Sequence, residues 1–401
     1  MTWTSHKLSA VAELTLGKML DQKKNRGEPR PYLANVNVRW GSFDLSDLRE
    51  MRFEPHESER YGLRAGDIVM CEGGEPGRCA IWKDEVPGTM LQKALHRIRA
   101  RHGVDARFLF YSLFAKGRAG ELEYLFTGAT IKHLPSEQLV KVNVILPPLG
   151  EQRRIASILG AYDDLIEVNR RRIAVLEEMA RRLFEEWFVH FRFPGHAAHE
   201  SMPTASVDGL IEFDPTTRLP REGEKPFIPM TLLSTESSLI EFHEWRDAGS
   251  GAKFMNGDTL FARITPCLEN GKTGLVRGLP GDGVGFGSTE FIVMRGKRAG
   301  PAFTYLLARH DAFRSHAQKS MSGATGRQRA RTESVKTFSF ASPPQTLLDR
   351  FETVAWPMLE LVGHLGESNK RLAASRDLLL PRLIAGDLEV TTAERELEAV
   401  A

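Results

Sequence analysis

From Glu151 to about Val189 apolar residues recur at Ile155, Ile158, Leu159, Tyr162, Leu165, Ile166, Ile173, Leu176, Ala180, Leu183, Phe184 and Trp187, with Arg and Glu between them. Steps of three and four place one apolar stripe on a helix and a charged face opposite it. About 38 residues at 1.5 Å each make a helix of roughly 57 Å, too long to bury inside one small domain. A second stripe, from Leu347 to about Leu383, runs through Phe351, Val354, Met358, Leu361, Leu365, Leu372, Leu379 and Leu383. Pro357 and Pro381 interrupt it, and each is expected to kink or end the helix locally. Two one-sided helices most simply bury their stripes on each other, which predicts an antiparallel coiled coil.

The stretches before the two helices are strand-rich and say the same thing twice. Short β-rich runs (IVMCEGG, CAIWKD, DTLFARI, TGLVRG, EFIVMRG) are punctuated by Gly and Pro, which predicts α+β modules on irregular sheets. Pro31-Tyr32 is echoed by Pro226-Phe227, Gly66-Asp67 by Gly257-Asp258, Thr127–Thr130 by Ser322–Thr325, and Pro147-Pro148 by Pro343-Pro344. The offsets are 195, 191, 195 and 196 residues. A period this long means duplicated domains, since solenoid repeats run about 20 to 50 residues. The expected division is a first module over 1–146, a helix over 147–190, a connector over 191–209, a second module over 210–342, a helix over 343–388 and a disordered acidic tail over 389–401.

Composition changes little. The 401 residues are 41% hydrophobic and 26% charged, so the chain is globular, and a formal charge of +2 leaves any basic surface local. No apolar run is long enough for a secretory leader or a membrane span, which predicts a cytoplasmic protein without a membrane partner. Three cysteines, Cys71, Cys79 and Cys267, without a CxxC pair predict buried thiols rather than a zinc site or a disulfide framework.

Motifs for catalysis fail one by one. ENGKTG at Glu269–Gly274 has Pro266 where a P-loop needs its first Gly, so a turn is expected. GVGFGS at Gly283–Ser288 leads into a strand rather than a helix, which predicts a loop that lets backbone approach something closely. No adenine-methylating Asn-Pro-Pro-aromatic run, HExxH helix or paired-carboxylate nuclease signature is present, so no catalytic or metal-binding residues are expected.

What remains is a binding vocabulary. In the first module the candidates are Gly73, Gly74, Arg78, Gln92, Lys93, Arg97, Thr130 and Lys132, with His96, Thr127 and His133 beside them. In the second they are Arg263, Asn270, Lys272, Ser288, Thr289, Ser322, Thr325, Arg327, Gln328 and Arg329, with Thr265 beside them. Arg and Lys can take guanine, Gln and Asn adenine, and hydroxyls with glycine amides can take phosphates. Their recurrence at matching places points to a shared ligand.

These residues resemble the specificity subunits of type I restriction-modification enzymes. PPLGEQRRIASIL (Pro147–Leu159) is similar to the family's module-to-helix junction, and NRRRIAVLEEMARRLFEEWF (Asn169–Phe188) to its first long helix. TLFARITPCLENGKTG, GFGSTEFIVMR and SRDLLLPRLIAGDLEV resemble its second-module and terminal segments. The second junction departs from the pattern, with PPQTLLDRF where the family usually has an EQ-type sequence. The resemblance implies two target recognition domains, each reading half of a split, asymmetric site in double-stranded DNA, with the helices as spacer. It also implies two modification subunits with S-adenosylmethionine, and restriction subunits with ATP and Mg; this chain would hold no cofactor. The rival readings are a stand-alone nuclease or methyltransferase fragment, and a helix-mediated protein scaffold without DNA readout.

Overall fold

The structure, a computed structural model, describes residues 3–19, 21, 25–195, 202–240, 244–247, 249–323, 328–392 and 395. Contacts divide the chain into two compact units, one of Met1–Leu165 with Leu372–Ala401 and one of Ile166–Arg371.

In the first unit a four-stranded antiparallel sheet runs in the order Ala12–Leu16, Leu95–Ala100, Ile68–Cys71, Cys79–Ile81. A second sheet centres on Glu28–Leu33, antiparallel to Arg49–Phe53 and parallel to Met90–Leu91. Thr4–Lys7 pairs with Asn143–Leu146 just before the long helix. The helix Ala106–Arg118 starts at Asp105, whose carboxylate accepts from the Phe108 N–H at 3.0 Å. Capping of this kind satisfies an amide that the first helical turn would leave open. Phe108, Leu109, Phe110, Leu113 and Phe114 of that helix are buried.

The second unit repeats this topology. Its antiparallel sheet runs Ile211–Phe213, Phe291–Gly296, Thr259–Ala262, Thr273–Leu275. Its other sheet has Lys225–Ile228 antiparallel to Glu244–Arg246 and parallel to Val284–Gly287, with Ala252–Met255 added on the far side. Thr204–Ser206 pairs with Ser339–Ala341, so the second module begins inside the segment expected to be a connector.

The Gly-Asp landmarks have a physical cause. Asp67 is 1% exposed and takes both ends of the Arg99 guanidinium at 2.7 Å, plus the Arg64 N–H at 2.8 Å. Asp258 is equally buried and takes Arg295 at 2.7 Å twice, plus the Met255 N–H at 2.8 Å. Each pair joins a strand to the turn that enters its neighbour, in the same place in both modules.

Gly283–Ser288 differs from expectation, because Val284–Gly287 is a strand inside a sheet and not a loop. The close approach is real: a Cβ on Gly287 would lie 2.4 Å from the Ile228 carbonyl oxygen. The glycines admit a neighbouring strand rather than a turn. Glu269–Gly274 forms a turn leading into a strand, as expected.

The long helices span Leu149–Phe188 and Gln345–Ala385. In the first unit Asp163 meets Arg376. In the second, Asn169 donates to Asn369 at 3.0 Å and Ile173 packs with Val362 and Leu365. Partner numbers fall as the first helix advances, so the pair is antiparallel. Near its C-terminal end the first helix carries Phe184 and Phe188 into a cluster with Phe303, Phe340 and Phe351. The second helix does not end at Pro357 or Pro381. Both prolines are exposed, while Ala355, Leu359 and Leu383 are buried. That burial outweighs the roughly 3 kcal/mol an interior proline costs. Leu388 and Val390 are buried, and most of the expected acidic tail lies outside the described residues.

Cys71 and Cys79 are buried free thiols whose pKa burial raises, and Cys267 is half-buried. His96 is fully buried, with Nε2 2.7 Å from the Leu134 carbonyl.

Removing one carboxylate leaves a poorly hydrated guanidinium. Asp67→Ala is expected to destabilise the protein by about 3 kcal/mol, the low end for a broken buried pair because Arg99 keeps some access to water. Asp258→Ala should cost as much. Urea denaturation measures both, and a loss below about 1 kcal/mol would show that the pairs do not hold the sheets.

Burial lowers the pKa of His96, so below its unfolded value of about 6.5 the unfolded chain binds more protons. Stability should therefore fall as pH drops from about 6.5. His96→Gln, which keeps a donor for Leu134, should flatten that slope in denaturation midpoints taken across the same range.

Candidate nucleic-acid interface

Each module carries a segment whose two ends are joined at a neck by a reciprocal pair of backbone bonds. In the first, Thr127 and His133 exchange N–H and carbonyl at 2.8 and 2.9 Å, and the Leu134 N–H donates to the Glu72 carbonyl at 2.7 Å. Gly128 has φ +90°, and a Cβ there would lie 2.1 Å from the Ile131 carbonyl oxygen, so the turn needs glycine. Residues 128–132 are exposed, Ile131 by 64%. In the second, Ser322 and Arg329 exchange both bonds at 3.1 and 3.0 Å, and the Ala330 N–H donates to the Arg263 carbonyl at 2.8 Å.

Beside each loop stands a short turn built by one rule. The Glu72 N–H donates to the Ala94 carbonyl at 2.8 Å, and the Ala94 N–H donates to the Gln92 side chain at 3.0 Å, leaving Lys93 exposed at the apex. In the second module the Arg263 N–H donates to the Glu290 carbonyl at 3.0 Å, and the Glu290 N–H donates to the Ser288 hydroxyl at 3.2 Å, leaving Thr289 exposed. Gly73 is backed by the His133 ring, and Gly74 is exposed next to it. Gly73, Gly74, Gln92, Lys93, Thr130 and Lys132 therefore gather on one face. Arg263, Ser288, Thr289, Ser322, Gln328 and Arg329 gather on the matching face of the other module. Thr325 and Arg327 lie outside the described residues.

Several candidates are committed inside the fold. Arg97 is 4% exposed and donates to the Gly62 and Glu59 carbonyls at 2.9 and 3.3 Å and to the Thr15 hydroxyl at 3.2 Å. Arg78 braces Glu75 at 2.6 Å and the Asn35 carbonyl at 2.9 Å. Lys272 donates to the Met230 carbonyl at 3.1 Å, and Asn270 sits exposed on the neighbouring turn. Arg329 spans the Glu290 carboxylate at 2.6 to 2.9 Å, which holds that carboxyl below its usual range.

The sequence reading missed partners that only tertiary proximity reveals. In the first module a cleft of about 520 Å³ lies between the loop and the Gly74–Pro76 turn, with Trp40, Leu122 and Phe126 in its lining. Trp40 donates its indole N–H to Glu75 at 2.7 Å. In the second a cleft of about 320 Å³ brings the exposed Lys253 to Arg263 and Thr289. Such surfaces offer ammonium, hydroxyl and amide donors for phosphate and base edges. Among the described residues no group of three His, Cys, Asp or Glu is placed to hold a metal, and no helix is long and apolar enough to cross a membrane.

Residues 1–178 match the family described as type I restriction modification DNA specificity domain. The chain is 36% identical over 129 residues to the EcoAI specificity subunit of Escherichia coli, covering 31% of this chain and 21% of that one. It is 29% identical over 126 residues to the MjaIX specificity subunit of Methanocaldococcus jannaschii, covering 31% and 28%. The matched stretches thus span under a third of these two relatives. The S subunit of a type I system from M. genitalium shares the fold over 96% of both chains, with a TM-score of 0.60 at 14% identity. Residues 1–178 are thus similar in sequence to the type I restriction modification DNA specificity domain, and the chain as a whole is similar in fold to that S subunit.

Proposed function

We propose that this chain is the non-catalytic DNA-reading subunit of a type I restriction-modification complex. Each module presents its loop face to one half of a split, asymmetric duplex site. Two modification subunits with S-adenosylmethionine, and restriction subunits with ATP and Mg, supply the chemistry in the cytoplasm, and this chain holds no cofactor. One observation carries the reading: the same hydrogen-bonded frame of neck and apex turn occurs in both modules, with Lys93 exposed at one apex and Thr289 at the other. A constant frame with different side chains at its apex turns suits two readers of different letters.

The chain is near-neutral, and Arg78, Arg97 and Arg329 are each paired with groups of their own module. Binding by the isolated chain is therefore expected to be weak and steeply dependent on salt. Lys132→Ala should weaken binding of the assembled complex to all duplexes alike and lower the salt slope by about one, the signature of a phosphate contact. Titration at several salt concentrations checks this, and a loss confined to one sequence would contradict the phosphate role. An insertion of four residues within Ile173–Leu183, about one helical turn, should change the gap between half-sites and leave their letters alone. Mapping methylated adenines in cells carrying the complex reads both at once; altered letters with an unchanged gap would refute the spacer role.

A further inference from the structure

Tyr111 and Tyr305 occupy matching places in the two modules, 194 residues apart, within the range of the other repeat offsets. Both are almost wholly buried, at 4% and 1% exposure, yet neither hydroxyl bonds within its own module's sheets. The Tyr111 hydroxyl donates to Asp163 at 2.6 Å, and the Tyr305 hydroxyl donates to Glu177 at 3.1 Å. Both carboxylates belong to the first long helix, although that helix follows one module and precedes the other.

Each contact extends to the second long helix through an arginine. Asp163 also receives Arg376, whose side chain is 16% exposed and lies over the Phe114 ring. Glu177 also receives the Ser238 N–H at 2.6 Å and the Ser237 hydroxyl at 3.1 Å. Arg277 ties the Ser238 hydroxyl at 2.7 Å to the Leu359 carbonyl of the second helix.

Apolar side chains tolerate sliding along a helix, because one leucine-sized hollow resembles the next. A buried hydroxyl on a carboxylate does not, since a shift of one turn leaves both groups desolvated and unpaired. Buried polar contacts of this kind are best attested as devices that fix register.

We infer that Asp163 and Glu177 are positioning residues that receive Tyr111 and Tyr305 and fix where along the first long helix each module is seated. The inference rests on the reading of the chain as a two-site DNA reader. Both carboxylates lie on one helix, 14 residues apart in sequence, and each receives the tyrosine of its own module.

The test is the Tyr111→Phe/Tyr305→Phe chain, expressed with its modification partners, with methylated adenines mapped genome-wide. Both rings stay in place and only the hydroxyls go. The half-site letters should be those of the parent chain. Its preference for the parent gap over gaps one base pair longer or shorter should fall by at least about tenfold, the low end of what either of the two lost hydrogen bonds to a charged group confers. An unchanged gap preference in a chain that melts close to the parent assigns the tyrosines to stability alone and overturns the inference. Altered letters overturn it too, because the hydroxyls would then act on the reading faces. Should the double variant not fold, Tyr305→Phe alone must loosen the gap in the same sense or the inference fails. A parent chain that methylates no split site sinks the two-site reading itself, which is a different result from a split site with an unmoved gap.

Discussion

The apolar stripe of Leu149–Phe188 has to be covered along its full length, and no single module is large enough to do it. Ile155, Ile158, Leu159 and Tyr162 are buried in the first unit, and Ile173, Ala180, Phe184 and Phe188 in the second. Packing against Gln345–Ala385 supplies what the modules cannot, since a 40-residue helix with a charged outer face depends on tertiary burial more than on propensity. One continuous helix therefore serves two cores. That shared element also explains why the second helix continues past two prolines.

Duplication has kept some bonds and released others, and the division is physical. The Asp67–Arg99 and Asp258–Arg295 pairs are retained because they are desolvated, so losing one partner strands the other. The loop necks are retained because backbone bonds do not depend on side-chain identity. Around them Glu72 with His133 has become Arg263 with an adjacent Arg329–Glu290 pair, and Lys93 has become Thr289. Exposed positions can change because water solvates whatever stands there.

Much of this was legible in the sequence, for identifiable reasons. The helices themselves were readable because a three-four stripe has no competing interpretation. The Gly-Asp landmarks disclosed the duplication without disclosing the ion pair, because Arg99 and Arg295 lie more than thirty residues away. Gly283–Ser288 was misread because glycine admits a close neighbour in a strand as readily as it turns a loop. Arg97 and Arg78 looked like ligand-binding side chains because the carbonyls that hold them come from distant segments. Tyr111 and Tyr305 sit within apolar helical runs, where nothing local marks a hydroxyl that reaches a carboxylate elsewhere.

The composition of the first unit also sets an order of events at the ribosome. Its residues up to Leu165 emerge early, yet Leu372 and those after it, which complete the same unit, follow 206 residues later. At ordinary translation speeds that is a wait of about 10 to 40 s. Meanwhile the N-terminal segment must persist half-built, its Arg376 and Leu379 counterparts not yet synthesised. Cellular yield should therefore hinge on how well chaperones shelter that incomplete intermediate.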